Sequence, residues 1–171
     1  MRRTILLVAV VTLAATLFVP ATTAAPSARE RLLPRTAEGT WSWVNSAFDV
    51  WKESRGGVLY ASGAEDGTWT GTFEGTSVDG FGAQIRPDGT LWALLDISFE
   101  GTVGELTGTL EILTTAVQRT PDQAMHGKWT IISGTDELAN LRGQGTWVYE
   151  GADPADHATY SGIVREFVPA A

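Results

Sequence analysis

Hydrophobic and polar residues alternate along most of the chain after residue 38. From Leu91 to Phe99 every second residue is apolar, whereas the other face carries Trp92, Leu94, Asp96, Ser98 and Glu100. A period of two is typical of a β-strand with one buried face, and no stretch shows the 3.6-residue period of a helix. Short runs of this kind, separated by Gly-Thr, Asp-Gly and Glu-Gly steps, predict many strands joined by tight turns.

The pattern predicts strands at 39–46, 57–63, 67–75, 78–86, 90–101, 104–116, 125–133, 144–150 and 158–167. Turns are predicted at 76–80, at 103–106 and at 87–89, where proline presets φ and glycine accepts a positive φ. Because each strand has one apolar face, the strands need a closed barrel or a sandwich. Glycines beside Trp69 and Phe73 favour the strong curvature of a small barrel. The predicted fold is all-β, a small closed antiparallel barrel of about eight strands.

The first 24 residues have a different composition from the rest. Arg2 and Arg3 precede an uncharged apolar run that Pro20 ends, and small residues follow. This pattern predicts a secretory signal peptide, residues 1–24, and therefore a secreted or extracytoplasmic protein. The alternative to cleavage is an uncleaved N-terminal anchor. The alternative to ordinary Sec export is twin-arginine export. Residues 25–37 are predicted to be a flexible linker and residues 38–168 the barrel domain.

The chain is acidic and contains no cysteine. It has 12 Lys and Arg against 20 Asp and Glu, a net charge of −8 at pH 7. Without disulfides, a secreted domain relies on its core for stability. Negative charge repels phosphate backbones and anionic lipids, so neither nucleic acid nor a membrane surface is expected as a partner. No stable membrane span is expected once the signal peptide is removed.

A glycine-rich loop occurs within "IISGTDELANLRGQGTW", residues 131–147. A phosphate-binding loop of the Walker type needs a lysine after its glycines and a helix after that lysine. Here Gly143 leads directly into a strand pattern, and no lysine follows. The loop is therefore predicted to be a backbone corner that leaves a strand at Ser133, with Leu138 and Leu141 closing one end of the barrel.

The same segment resembles a family motif. "SGTDELANLRGQGTW" is similar to the GTG-x-L/F-x-x-x-x-G segment of the allene oxide cyclase-like barrels, and most similar to an uncharacterised bacterial family that reads much like "SGTGELAGLRGEG". Upstream, "LTGTLEILTTAVQ" and "HGKWTII" resemble the paired strands of that family, and plant dirigent proteins carry a similar glycine corner. Asp136 and Asn140 stand where glycine is expected, but both residue types tolerate the left-handed region.

This resemblance extends over residues 38–167 and implies an eight-stranded antiparallel barrel. Relatives of this type are often oligomeric, so a homo-oligomer is one expected form of the protein. The resemblance transfers no catalytic residue and implies no cofactor, and none is predicted.

Aromatic residues provide the candidate binding site. The chain has seven tryptophans, and aromatic side chains that face a lumen line apolar pockets in other proteins. The alternative is that these side chains only fill the core. The residues predicted to bind a ligand are Trp69, Phe73, Trp147, Tyr149 and Tyr60, with the two tyrosines offering hydroxyl groups.

Titratable residues give weaker candidates. His126 and His157 lack the spacing of metal ligands, so no metal site is predicted. Four strand carboxylates are assigned to the solvated outer face, opposite the apolar stripe: Glu74, Asp96, Glu100 and Glu111. No Gly-x-Ser-x-Gly elbow and no cysteine nucleophile is present, so hydrolysis through a catalytic triad is not expected.

Three functions stay open at this point. The first is a barrel that binds a small apolar or amphipathic molecule in its lumen without catalysis. The second, implied by the resemblance, is a cofactor-independent isomerase or cyclase that positions a flexible substrate and excludes water. The third is a surface carbohydrate-binding module that uses Trp41 and Trp43. A deep apolar lumen favours the first two, an exposed aromatic strip favours the third, and an acid–base pair inside the lumen favours the second over the first.

Overall fold

The protein is an eight-stranded antiparallel barrel. The computed structural model describes residues 36–120, 124–151 and 157–166, without the side chains of residues 48–52. The strands are β1 (Thr36–Glu53), β2 (Leu59–Gly71), β3 (Phe73–Ile85), β4 (Leu91–Val103), β5 (Leu106–Gln118), β6 (Met125–Gly134), β7 (Leu141–Tyr149) and β8 (His157–Glu166). Each strand pairs with its neighbours in sequence, and β1 pairs with β8 to close the ring. The all-β closed barrel predicted from the sequence is confirmed.

The predicted signal peptide and most of the predicted linker lie outside the described residues. The barrel begins with β1 at Thr36, two residues before the predicted domain boundary. Within the described ranges, no helix has both the length and the apolar character needed to cross a membrane.

The strands are fewer and longer than predicted because two predicted breaks lie inside strands. β2 continues through residues 64–66, and β3 continues through the predicted turn at 76–80. The chain turns instead at Thr72, after Gly71 with a φ of 101°, so the predicted strand 67–75 is divided between β2 and β3. The Thr72 N–H donates to the Glu38 carbonyl oxygen at 2.9 Å, which ties this turn to β1.

The remaining predicted turns are confirmed. Gly89 adopts a φ of 84° between β3 and β4, and Gly104 a φ of 62° between β4 and β5. In the glycine-rich loop, β6 ends at Gly134, one turn of 3-10 helix (Asp136–Leu138) follows, and β7 begins at Leu141. Asp136 has a φ of 51° and is the one non-glycine residue with a positive φ in the described part of the chain, so Asn140 does not use the left-handed region.

The two ends of the barrel differ. The closed end carries the turn at Thr72, the β4–β5 turn and the 3-10 helix. Leu138 and Leu141 are 0% and 1% exposed there, so they close this end as predicted. The open end carries the longer connections that follow β1, β3, β5 and β7.

Aromatic rings stacked over glycines fill the interior. A Cβ atom on Gly145 or Gly162 would meet the indole of Trp129, and one on Gly127 would meet the indole of Trp147. Glycine at these inward positions therefore leaves room for a ring from the neighbouring strand. This packing explains why Gly127, Gly145 and Gly162 lie inside strands rather than at turns.

Candidate functional site

Three of the five predicted binding residues lie in the packed core. Trp69, Phe73 and Trp147 are 4%, 1% and 4% exposed. The rings of Trp69 and Phe73 lie 5.8 Å apart between centroids. Trp41 joins Trp147 to this cluster, with centroid distances of 5.8 Å to Trp147 and 5.2 Å to Trp69. These side chains pack against one another and form the floor of the interior.

The two predicted tyrosines are separated by the barrel wall. Tyr149 is half-buried on the inner side, with its ring 5.3 Å from that of Trp43. Tyr60 is 49% exposed on the outer side of β2, because the buried positions in this part of β2 are the odd-numbered ones. The structure therefore does not bring the Tyr60 hydroxyl together with the other four residues.

Trp41 and Trp43 do not form the exposed strip that carbohydrate binding by these residues requires. Trp41 is 2% exposed, and Trp43 is half-buried and packs against the core at 4.9 Å from Trp41. That expectation is wrong for this pair because both side chains point inward from β1.

A buried carboxylate that the sequence reading missed lies on the inner face of β3. Asp79 is 0% exposed, and neither of its carboxylate oxygens has a hydrogen-bond partner among the described residues. Glu65, at 9% exposure, is directly opposite Asp79 in the β2–β3 pairing. Two buried acidic residues are thus opposite each other on neighbouring strands of a barrel whose other inward positions are mostly apolar.

Polar groups from three strands converge beside Asp79 at Gly67. A Cβ atom on Gly67 would lie 2.9 Å from Trp41 Nε1 and 3.1 Å from Asp79 Oδ2, and it would also overlap Ser77 Oγ. The Trp69 indole N–H donates to Ser77 Oγ at 2.9 Å, whereas the buried Trp41 N–H has no hydrogen-bond partner in the described residues. The absence of a side chain at Gly67 leaves the space in which these groups approach one another.

Burial raises the pKa of Asp79 from 3.8 to about 6, because its charged form loses contact with water. The nearby Ser77 hydroxyl and Trp41 N–H lower the pKa, and the negative charge of Asp66 raises it. Neither Ser77 nor Trp41 makes a full hydrogen bond to the carboxylate, and desolvation is the largest of these effects. A carboxyl with a pKa close to neutral can both accept and donate a proton under physiological conditions.

Apolar residues line the interior between Asp79 and the open end. Side chains that are partly buried and packed on the core include Trp43, Phe81, Met125 and Tyr149. Four small residues lie in one register row across β2, β3, β4 and β5: Ala61, Ala83, Ala93 and Ala116. Small side chains in a closed ring leave more interior space than the phenylalanines and leucines of the closed end.

Other titratable residues lie away from this site. His126 is exposed on β6 and His157 is half-buried on β8. Across the described ranges, no group of three or more His, Cys, Asp and Glu residues could hold a metal ion. The four strand carboxylates assigned to the outer face, Glu74, Asp96, Glu100 and Glu111, are exposed as predicted.

The sequence contains the signal for an inward Asp79, but this signal overlaps the turn predicted at 76–80. Phe73, Ser77, Asp79 and Phe81 alternate with exposed residues in β3. The Asp79–Gly80 dipeptide is also a strong turn signal, and the turn interpretation took precedence. Glu65 lies in the gap between two predicted strands, because Asp66–Gly67 is likewise a turn signal.

Comparison with known proteins gives a family but no activity. Residues 38–160 match the model of a family described as "Protein of unknown function (DUF3224)". Because this match covers more than half of the chain, the protein belongs to the DUF3224 family. Comparison with the curated proteins found no match.

Among solved structures, a protein with unknown function from the DUF3224 family of Shewanella oneidensis MR-1 has the same fold. The similarity has a TM-score of 0.64 at 17% sequence identity, and it covers 79% of this chain and 98% of that chain. At this identity the similarity shows the fold alone. The expectation of an uncharacterised family with a barrel fold is confirmed at this level.

Proposed function

We propose that this DUF3224 barrel binds a small amphipathic molecule at its open end, with a hydrogen-bond donor or cationic group of the ligand next to Asp79. The observation that carries the proposal is the fully buried Asp79 carboxylate, which has no hydrogen-bond partner among the described residues. Burying such a group without a partner costs free energy. A ligand that supplies the missing donor recovers part of this cost.

The apolar part of the ligand would contact the aromatic side chains between Asp79 and the open end. The rings of Trp43 and Tyr149 lie 5.3 Å apart, and Phe81 is the next inward residue after Asp79 on β3. A mostly apolar wall with a few convergent polar groups is the usual composition of a small-molecule site. Of the residues predicted from the sequence, Tyr149 would contact the ligand directly, and Trp69, Phe73 and Trp147 would form the floor beneath it.

Titration with three matched probes tests this proposal. 2-Phenylethylamine and 2-phenylethanol carry a donor, whereas phenylacetate carries an anion and no donor. We expect tryptophan fluorescence to report tighter binding of the amine and the alcohol than of phenylacetate. The Asp79→Asn variant should lose most of the preference for the amine, and Asp96→Asn, the same change on the outer face, should not. Equal binding of phenylacetate, or an unchanged preference in Asp79→Asn, would contradict the proposal.

Native mass spectrometry of the protein purified from its own host gives an independent test. A co-purifying molecule that is present in the wild type and in Asp96→Asn, but lost in Asp79→Asn, would support the site and identify its ligand. A molecule that persists in Asp79→Asn would place its binding elsewhere.

A cofactor-independent isomerase or cyclase is the second candidate, favoured by the opposed Glu65 and Asp79 carboxyls. A base with a pKa of about 6 suits proton abstraction next to a carbonyl group, and the second carboxyl suits return of the proton. The test is exchange of α-protons of enolisable ketones in deuterated water, followed by NMR. Loss of exchange in Asp79→Asn would support catalysis, and a wild-type rate equal to that of buffer across the ketones would exclude it.

We also propose an allene oxide cyclase-like classification and an extracytoplasmic location. Eight sequential antiparallel strands and the glycine corner with Asp136 in the left-handed region support the classification. The signal-peptide pattern of residues 1–24 supports the location. The mass of the protein recovered from culture medium tests both export and cleavage after Ala24, and light scattering tests the expected homo-oligomer.

A further inference from the structure

A groove of about 830 Å³ lies on the outer surface near the open end. We call it the basic groove, and its defining residues are Arg86, Thr90, Trp92, Val117, Arg119 and His126. It is separated from Asp79 by the barrel wall, since Asp79 is fully buried and Trp92 is 45% exposed on the outer side of β4. The basic groove is therefore independent of the proposed site in the interior.

Strand pairing places the residues of the groove side by side. Trp92 is directly opposite Val117 in the β4–β5 pairing, and Val117 is directly opposite His126 in the β5–β6 pairing. The Thr90 hydroxyl donates to the Arg119 carbonyl oxygen at 3.3 Å, and the Arg86 N–H donates to the Thr90 carbonyl oxygen at 2.9 Å. These bonds hold the backbones that carry the two arginines at the same edge of the groove.

Positive charge is concentrated at this groove in an otherwise acidic protein. The structure describes six lysine and arginine side chains; two of them, Arg86 and Arg119, line the groove, and a third, Lys128, is exposed on the neighbouring strand β6. Lys128 follows His126 on the same face of β6, two residues along the strand. Asp88, at the tip of the neighbouring turn, interacts with the charge of Arg86. Against a net charge of −8, Arg86 and Arg119 favour an anionic ligand at this groove.

We propose that the basic groove binds an acidic polysaccharide, a chain of uronic acid residues. The exposed indole of Trp92 stacks on the face of one sugar ring, as aromatic rings with one wet face do. Arg86 and Arg119 bind the carboxylates of that sugar and its neighbour, because a guanidinium group matches a carboxylate with two parallel hydrogen bonds. A nucleic acid fits less well, because its denser phosphate charge meets the acidic remainder of the surface.

The outer surface beside Trp92 is uncrowded, which favours a chain-shaped ligand. Gly80 and Gly82 lie on the outer face of the neighbouring strand β3, and a Cβ atom at either position would meet nothing within 4 Å. Gly82 pairs with Leu94, the next outward residue after Trp92, which is itself 48% exposed. The groove therefore continues along the outer sheet as a shallow, uncrowded surface, on which a saccharide chain can extend past the tryptophan.

Isothermal titration of the full-length protein with tetragalacturonate tests the proposal, with neutral galactotetraose and a single-stranded tetranucleotide as competitor probes. We expect tetragalacturonate to bind with a salt-dependent affinity and the neutral tetramer to bind at least roughly tenfold more weakly. Trp92→Ala should weaken binding about tenfold, and Arg119→Gln about three- to tenfold.

Two matched variants separate the groove from the rest of the surface. Ile163→Ala removes an apolar side chain of similar exposure, 48%, and Arg55→Gln removes an exposed arginine of the β1–β2 turn. Both should bind tetragalacturonate like the wild type. The proposal is overturned if tetragalacturonate does not bind at about 5 mM, if Trp92→Ala and Ile163→Ala bind equally, or if either competitor binds as tightly as the acidic tetramer.

Discussion

The closed half and the open half of the barrel are built from the same alternating strands but are filled differently. In the closed half, Phe73, Val103 and Leu138 are at most 1% exposed, and the turn at Thr72 is one residue long. In the open half, Phe81 and Tyr149 are only partly buried. Tight apolar packing is therefore concentrated toward the closed end of the barrel axis, and the less tightly filled interior lies toward the open end.

Two buried polar side chains show the same contrast. The Tyr160 hydroxyl accepts a hydrogen bond from the Phe73 N–H at 2.9 Å and donates one to the Thr70 carbonyl oxygen at 3.1 Å. Burial raises the pKa of Tyr160 to about 12, so this hydroxyl keeps its proton and acts as a structural bridge. Asp79 is buried as deeply but has no such partners among the described residues. A polar group that is satisfied serves the fold, whereas one that is not satisfied is available to a ligand.

The largest expected effect distinguishes the cores of the two halves. Phe73→Ala should lower the free energy of unfolding by about 3–5 kcal/mol, because a fully buried ring leaves a cavity among packed aromatic neighbours. Phe81→Ala, the matched change on the same strand in the open half, should cost about 1–2 kcal/mol because that ring is already partly exposed. Urea unfolding of both variants measures the difference. Equal losses would mean that the open half is packed as tightly as the closed half.

A smaller effect concerns backbone crowding along β3. Gly75→Ala should cost about 1–3 kcal/mol, because its Cβ would lie 2.8 Å from Gly101 Cα and overlap the Glu100 carbonyl oxygen. Gly82→Ala, on the outer face of β3 toward the open end, should change stability by less than about 0.5 kcal/mol. Thermal unfolding checks the pair. A neutral Gly75→Ala would show that β3 and β4 can separate at the closed end.

The smallest predicted effect has the opposite sign and depends on pH. Asp79 titrates near 3.8 when unfolded and about 6 when folded, so the free energy of unfolding falls as the pH rises from about 4 to about 6. Asp79→Asn removes this dependence. It should stabilise the protein by about 1–2 kcal/mol above pH 6, less than the roughly 3 kcal/mol of the whole shift because the amide must also be desolvated.

Urea unfolding at several pH values measures this gain, which should disappear below pH 4. Glu65 and Asp66 are the acidic residues beside Asp79 on β2, and both stay in place in the variant. Asp66→Asn, which removes only the weaker repulsion from Asp66, should give a smaller gain in the same pH range. A gain for Asp79→Asn that is equal at pH 3.5 and pH 7.5 would mean that Asp79 is not the source of the pH dependence.

Local signals predicted the fold better than the site. Alternation from Leu91 to Phe99 identified β4 and its buried face, and the proline and glycine of residues 87–89 identified a real turn. The sequence did not predict the Gly71–Thr72 turn or the inward position of Asp79. A glycine or an Asp-Gly step looks the same in the sequence whether it forms a turn or lies inside a strand next to a packed aromatic ring. Only the neighbouring strand distinguishes these two uses.

The all-β character, the apolar face of most strands, the corner at Asp136 and the outward carboxylates could be predicted from the amino-acid pattern alone, because they depend on residues close together in the chain. Three features became visible only in the folded barrel: which strands pair around the ring, that Tyr60 and Tyr149 lie on opposite sides of the wall, and that Asp79 lies beside Trp41 and Gly67. The burial and the pKa of Asp79 depend on atoms from other strands, and the alternation along one strand does not specify those atoms.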